Sequence, residues 1–103
     1  MPDPSLKALQ ALPAIGPSLA RDLHALGYRA PADLAGQDPD EMFRRLEALS
    51  GGRQDPCVLD TFRCAVYAAG TAEPDPELLK WWTWSRRRLA GEVGSVEVAR
   101  GKR

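Results

Sequence analysis

The sequence predicts an all-α fold, a compact bundle of about five to six short helices. Apolar residues recur at three- and four-residue steps, which is the helical period, and no segment shows a convincing strand alternation. Aspartate is a good helix N-cap and proline suits the first helical position, so an Asp-Pro pair indicates a helix start. Four such pairs precede helical patterns: Asp3-Pro4, Asp38-Pro39, Asp55-Pro56 and Asp75-Pro76.

Length and composition fit one soluble domain. The chain has 103 residues, of which 44% are hydrophobic. No apolar run approaches the ~20 residues that a membrane-spanning helix needs. The first residues, Met1 to Pro4, lack the basic and apolar regions of a signal peptide. We therefore expect a cytoplasmic protein that makes no membrane contact.

The predicted helices span 4–12, 17–26, 31–35, 39–49, 56–69 and 76–84. The helix at 56–69 carries apolar residues on more than one face, so we expect it at the centre of the bundle. Arg44, Arg45 and Glu47 form a polar face that we interpret as solvated. Residues 86–103 have no long apolar stripe. We therefore divide the chain into a helical domain at 1–85 and a basic, mobile tail at 86–103.

The first two helices read as a hairpin. Pro13 ends the first helix, Gly16 is expected to take a positive φ cheaply, and Pro17 begins the second. Leucines at helical spacing would face each other across the turn: Leu6, Leu9 and Leu12 before it, Leu19, Leu23 and Leu26 after it. This pattern resembles a helix-hairpin-helix (SAM-like) unit, a module that usually grips the phosphate backbone of nucleic acid.

The resemblance implies a DNA contact at the turn, because the free N–H groups and the dipole of a helix N-terminus attract phosphate. Such contacts hold DNA without reading its bases. The candidate DNA-binding residues are Ile15, Gly16, Ser18, Leu19, Arg21 and Arg29. Many such hairpins have glycine where this chain has Ala14, and a positive φ there costs alanine roughly 1 kcal/mol. The alternative is that the hairpin survives only as a packing unit.

Charge is unevenly distributed although the net charge is zero. Residues 1–79 hold seven Lys/Arg and twelve Asp/Glu, giving −5, whereas residues 80–103 hold seven and two, giving +5. Arg86, Arg87 and Arg88 are therefore candidates for auxiliary phosphate contacts. The alternatives are that the basic end folds back onto the acidic body or simply keeps the protein soluble.

Three tryptophans, Trp81, Trp82 and Trp84, are unusual in so small a chain. Beside the neighbouring arginines they could stack the bases of a single strand, with Trp82 as an auxiliary contact. They could also anchor a partner protein, since Trp and Arg are enriched in interface hot spots. The third interpretation is that Trp81 and Trp84 pack onto the bundle while Trp82 is partly exposed.

Catalytic and metal-binding signals are weak. Cys57 and Cys64 lie about two helical turns (~10 Å) apart, beyond the ~7 Å that a disulfide spans between Cα atoms. His24 has no nucleophile near it in sequence, and Asp55 and Asp60 have no basic partner that marks acid–base catalysis. We expect no enzyme activity, no catalytic residues, no cofactor and no metal.

Two segments carry a family resemblance: Pro56-Cys57-Val58-Leu59-Asp60 and Trp81-Trp82-Thr83-Trp84. With the hairpin, they resemble the pathogenicity-locus family of small bacterial proteins, also labelled mitomycin-resistance-like, over residues 5–84. The resemblance implies a helical hairpin fold and adds no catalytic residue. The sequence thus favours a non-sequence-specific DNA-binding module. The alternative is a protein-interaction module or adaptor whose contact is the tryptophan cluster or a helix face. The oligomeric state stays open.

Overall fold

Seven helical segments, joined by turns and loops, lie within residues 4–91, the part of the chain that the computed structural model describes. Within those residues there is no strand, which confirms the all-α prediction. None of these helices is long and apolar enough to cross a membrane. The α-helices are α1 (Pro4–Leu9), α2 (Pro17–Ala25), α3 (Pro39–Ser50), α4 (Pro56–Gly70) and α5 (Trp81–Leu89), and two 3₁₀ helices span Pro31–Leu34 and Pro76–Leu79.

Three Asp-Pro pairs begin helices as predicted. The carboxylates of Asp38, Asp55 and Asp75 accept hydrogen bonds from the amides two residues later, at 2.9, 2.8 and 2.9 Å. Each bond satisfies one of the N–H groups that the first helical turn leaves without a partner. Asp3, the fourth predicted cap, lies outside the described residues.

Helix α4 is the centre of the bundle, as its apolar faces predicted. It packs against α3, α5 and both 3₁₀ helices. Phe62, Cys64 and Ala65 of α4 are fully buried. The leucines of the α1–α2 hairpin join Phe62 and Ala65 in one core cluster, with Leu9, Leu12, Leu23 and Leu26 buried and Leu6 and Leu19 partly buried.

The C-terminal end differs from the prediction of one helix at 76–84. The chain is extended at Lys80 (φ −103°, ψ 116°), and a separate helix, α5, runs on to Leu89. The carbonyl of Leu78, which a continuous helix would use internally, instead accepts from the Trp84 indole Nε1 at 2.9 Å and the Cys64 Sγ at 3.5 Å. Tertiary contacts therefore break the helix.

The boundary predicted between residues 85 and 86 falls inside α5. Arg86, Arg87 and Arg88 consequently belong to the helical body rather than to a mobile tail. Residues 92–103, the remainder of the predicted tail, lie outside the described residues.

The turn between α1 and α2 places its positive φ at Ala14, not at Gly16. Ala14 has φ 66°, in the left-handed region, whereas Gly16 is extended with φ −89° and ψ −172°. The expected role of Gly16 in the turn is therefore wrong. The residue that adopts the left-handed conformation is an alanine, Ala14. A residue with a Cβ is sterically strained in that backbone conformation.

Replacing Ala14 with glycine should raise the free energy of unfolding by about 0.5–1 kcal/mol, because relief of the positive-φ strain exceeds the added flexibility of the unfolded chain. The matched control is Ala11→Gly, one turn earlier, where φ is not positive and glycine should destabilise. Urea denaturation of both variants provides the measurement. Equal destabilisation by the two glycines would contradict a strained Ala14.

Candidate nucleic-acid interface and the buried ion network

The N-terminus of α2 is open at the tip of the hairpin. Gly16 is the N-cap residue and no side chain caps the helix. The first main-chain hydrogen bond runs from the Ala20 amide to the Gly16 carbonyl, at 2.9 Å. The N–H groups of Ser18 and Leu19 therefore have no partner within the helix. The space where a Cβ of residue 16 would lie has no other atom within 4 Å, so this helix end is accessible from outside.

The structure separates the other predicted hairpin residues by role. Ile15 is 5% exposed and packs in the core, so its side chain anchors the turn instead of reaching a ligand. The Leu19 side chain is also partly buried, which leaves its amide as the accessible group. Gly16, Ser18 and Arg21 are exposed. These three residues and the Leu19 amide form the surface that we call the hairpin tip.

Arg29 does not join the hairpin tip. Its Nη1 donates to the carbonyl of His24 at 3.1 Å, at the opposite end of a helix about 13 Å long. Arg45 of α3 is exposed, as predicted, but its Nη2 also donates to the carbonyl of Leu26 at 2.6 Å. Both arginines instead satisfy carbonyls at the C-terminal end of α2, where positive charge is favourable.

A cleft of about 330 Å³ lies beside the hairpin tip. Ser18, Leu19 and Asp22 of α2 line one side, and the start of α4 and Trp81 line the other. Burial raises the pKa of Asp22, against the opposing effect of the Arg21 charge. The hydrogen bond from the Cys57 amide lowers the pKa of Asp55, another residue of the cleft. This cleft could not be predicted from the sequence, because its walls come from segments distant in the chain.

The tryptophan cluster fits the packing interpretation. Trp81 and Trp84 are partly buried, whereas Trp82 is 48% exposed. The centroid of the Trp84 ring lies 5.9 Å from that of Tyr67, and the Arg87 guanidinium lies 5.2 Å from the Trp84 ring centroid. The Tyr67 contact attaches α5 to α4, and the cation–π contact within α5 engages Arg87.

Arg88 takes part in a buried ion network. Asp60 is fully buried, and both of its carboxylate oxygens accept from Arg88 Nε at 3.1 Å. Arg63 donates to Asp60 at 3.3 Å and, through its other terminal nitrogen, to Asp40 at 3.3 Å. Sequence reasoning missed this network and treated Asp60 as lacking a basic partner. The available signal was the Asp60–Arg63 pair, three residues apart inside an otherwise apolar helix.

Both cysteines are free thiols. Burial raises the pKa of Cys64 to about 11, and burial also raises the pKa of Cys57. The thiolate is the nucleophilic form of cysteine, so both thiols are weak nucleophiles near neutral pH. Within residues 4–91, no group of three histidine, cysteine, aspartate or glutamate side chains is arranged to hold a metal ion.

The fold and the hairpin tip define a class of small all-helical protein with an N-terminal hairpin packed on a central helix. Residues 3–90 match the family model described as pathogenicity locus, and the chain belongs to that family. It is 38% identical over 87 residues to "Mitomycin resistance protein McrB" of Streptomyces lavendulae, covering 82% of this chain and 79% of that relative. No solved structure matches the chain. The family predicted from the sequence is thereby confirmed.

Removing the Asp60 carboxylate with Asp60→Ala should lower the free energy of unfolding by about 3–5 kcal/mol, because it leaves two guanidinium groups without their buried partner. Arg88→Ala should cost less, roughly 1–3 kcal/mol, since Arg63 still pairs with Asp60. Arg86→Ala, on the exposed side of α5, is the control and should change stability by less than about 0.5 kcal/mol. Urea denaturation measures all three. Equal losses for Arg86 and Arg88 would contradict the network.

Stability should fall as pH rises from 9 towards about 11, because over that range Cys64 ionises in the unfolded chain but stays protonated when folded. Well below pH 9 the thiol is protonated in both states and contributes no slope. Cys64→Ala should flatten this alkaline decline in urea denaturation, and Cys57→Ala, at a partly exposed site, should flatten it less. An unchanged slope in Cys64→Ala would refute the shifted pKa.

Proposed function

We propose that this chain is a non-sequence-specific DNA-binding module that grips phosphates through a helix-hairpin-helix turn. The observation that carries the proposal is the open N-terminus of α2, where the Ser18 and Leu19 N–H groups have no helical partner and no side-chain cap. Backbone donors and the positive end of the helix dipole together favour a phosphate oxygen at this position.

Gly16 suits a phosphate-binding turn because it leaves the N-terminus of α2 uncovered. Its extended backbone is accessible to any residue, but the absence of a side chain allows a phosphate to approach the two amides closely. Arg21 lies one turn after Ser18 on the same side of α2 and is exposed, so it can supply the Coulombic attraction. The Ile15 side chain fixes the turn from the core.

Fewer residues are available for auxiliary phosphate contacts than the sequence predicted. Arg87 and Arg88 are occupied by Trp84 and Asp60, whereas Arg86 and Trp82 are exposed on α5. The carboxylates of Asp22 and Asp55 beside the hairpin tip oppose phosphate binding. We therefore expect modest affinity that weakens steeply with salt. With DNA as the partner, we also expect the protein in the cytoplasm and expect no catalytic step.

A protein-interaction module is the second candidate, and the exposed face of α5 favours it. Trp82 is 48% exposed and Leu89 is 75% exposed, and their seven-residue spacing puts them on one face, with Arg86 between them. Exposed tryptophan and arginine are typical hot-spot residues of protein interfaces. An apolar contact of this kind would change little with salt, which distinguishes it from phosphate binding.

Ser18→Glu should abolish most DNA binding while leaving the fold intact. A carboxylate in the first turn of α2 stabilises the helix by about 0.3–1 kcal/mol, yet it competes for the amides and repels phosphate. We expect affinity to fall roughly tenfold or more at low salt. Fluorescence anisotropy with labelled duplex and single-stranded DNA across a salt series measures this loss, and urea denaturation measures stability.

Ala48→Glu is the charge-matched control, because Ala48 is exposed on α3 and the substitution adds the same charge away from the turn. It should lower affinity far less than Ser18→Glu. Equal losses would assign DNA binding to overall charge, and no binding by the unaltered chain at low salt would eliminate the DNA proposal. Binding lost instead in Trp82→Ala would move the contact to the α5 face.

A further inference from the structure

The cleft beside the hairpin tip is an open groove with both polar and apolar walls. Its volume of about 330 Å³ lies at the lower end of the roughly 300–1,000 Å³ typical of small-molecule sites. It opens where the first turns of α2 and α4 and Trp81, the first residue of α5, come together. Sites of this kind combine an apolar lining with a few polar groups that orient the ligand.

The polar groups of the cleft include two carboxylates. Asp22 is partly buried, and the charge of its neighbour Arg21 stabilises the ionised carboxylate. Burial nevertheless raises the pKa of Asp22, so Arg21 offsets only part of the cost of burying its ionised form. Asp55 caps α4 through one oxygen, and its carboxylate also interacts with the Cys57 thiol. A positive group in the cleft would be attracted by both carboxylates.

The apolar lining consists of Leu19, Val58 and Trp81. The Trp81 ring makes an edge-on contact with the Trp82 ring, at 6.2 Å between ring centroids. A flat apolar ligand can pack on such a wall, and a cation beside an indole face gains a further electrostatic attraction. The aromatic surface and the carboxylates thus favour different parts of one molecule.

We propose that this cleft binds a small organic cation with a flat apolar body, its positive group between Asp22 and Asp55 and its body against Trp81, Leu19 and Val58. The proposal goes beyond DNA binding and does not depend on it. The same carboxylates disfavour anionic ligands, so the cleft discriminates against free nucleotides and carboxylic acids of similar shape. The ligand is a free small molecule rather than a side chain of a partner protein.

Three probes with one phenyl body and different charge test the proposal on the full chain: phenylethylamine, phenylethanol and phenylpropionate. Isothermal titration calorimetry, with chemical-shift mapping by NMR, should show that the amine binds roughly tenfold more tightly than the alcohol and that the acid does not bind. Equal binding of amine and alcohol, or no binding of millimolar amine, overturns the proposal. Tighter binding of a blocked arginine than of the amine overturns the choice of a small-molecule ligand.

Two pairs of variants locate the site. Asp22→Asn should weaken amine binding several-fold, whereas Glu73→Gln, at an exposed position outside the cleft, should not. Trp81→Leu should weaken binding and Trp82→Leu should leave it nearly unchanged. If the two variants of either pair change amine binding equally, the proposed location of the site is overturned. Asp22→Asn also separates the two proposals, since it should strengthen DNA binding at the neighbouring amides while it weakens amine binding.

Discussion

The buried carboxylate of Asp60 is the constraint on which the C-terminal half of the fold depends. A fully buried charge is costly unless it is paired, and Asp60 is paired with Arg63 of its own helix and Arg88 of α5. Arg63 extends the network to Asp40 at the start of α3, so two carboxylates and two guanidinium groups join three helices. The network therefore fixes the register of α5 on α4, which in turn holds Trp81 at the edge of the cleft.

The hairpin depends on a different constraint, because its turn holds an alanine in a glycine-like conformation. Leu12 and Ile15, on either side of Ala14, are both buried, and the Ile15 amide donates to the Leu12 carbonyl at 3.3 Å. Packing on both sides therefore determines the turn and sustains the local strain. As a result the positive φ lies two residues before the N-cap, and Gly16, which has no side chain, leaves the α2 N-terminus uncovered.

The features that the sequence predicted are those with local causes. Asp38, Asp55 and Asp75 cap helices through bonds to residues two positions away, and leucine spacing located the hairpin core. The misses have tertiary causes: the Leu78 carbonyl is taken by Trp84 and Cys64, and Arg88 is drawn to a carboxylate 28 residues away. The cleft was equally beyond prediction, because it exists only where three separate segments meet.

Groups that favour opposite charges lie next to each other along α2. Its first-turn amides favour an anion, while Asp22, one turn after Ser18, favours a cation in the adjoining cleft. A cation bound there would cancel the carboxylate charge that opposes a phosphate at the amides. If both proposals hold, each ligand must raise the affinity of the other by the same factor, because coupling between two binding sites is reciprocal. The two sites would then act as one charge-balanced surface, with DNA affinity set by occupancy of the cleft.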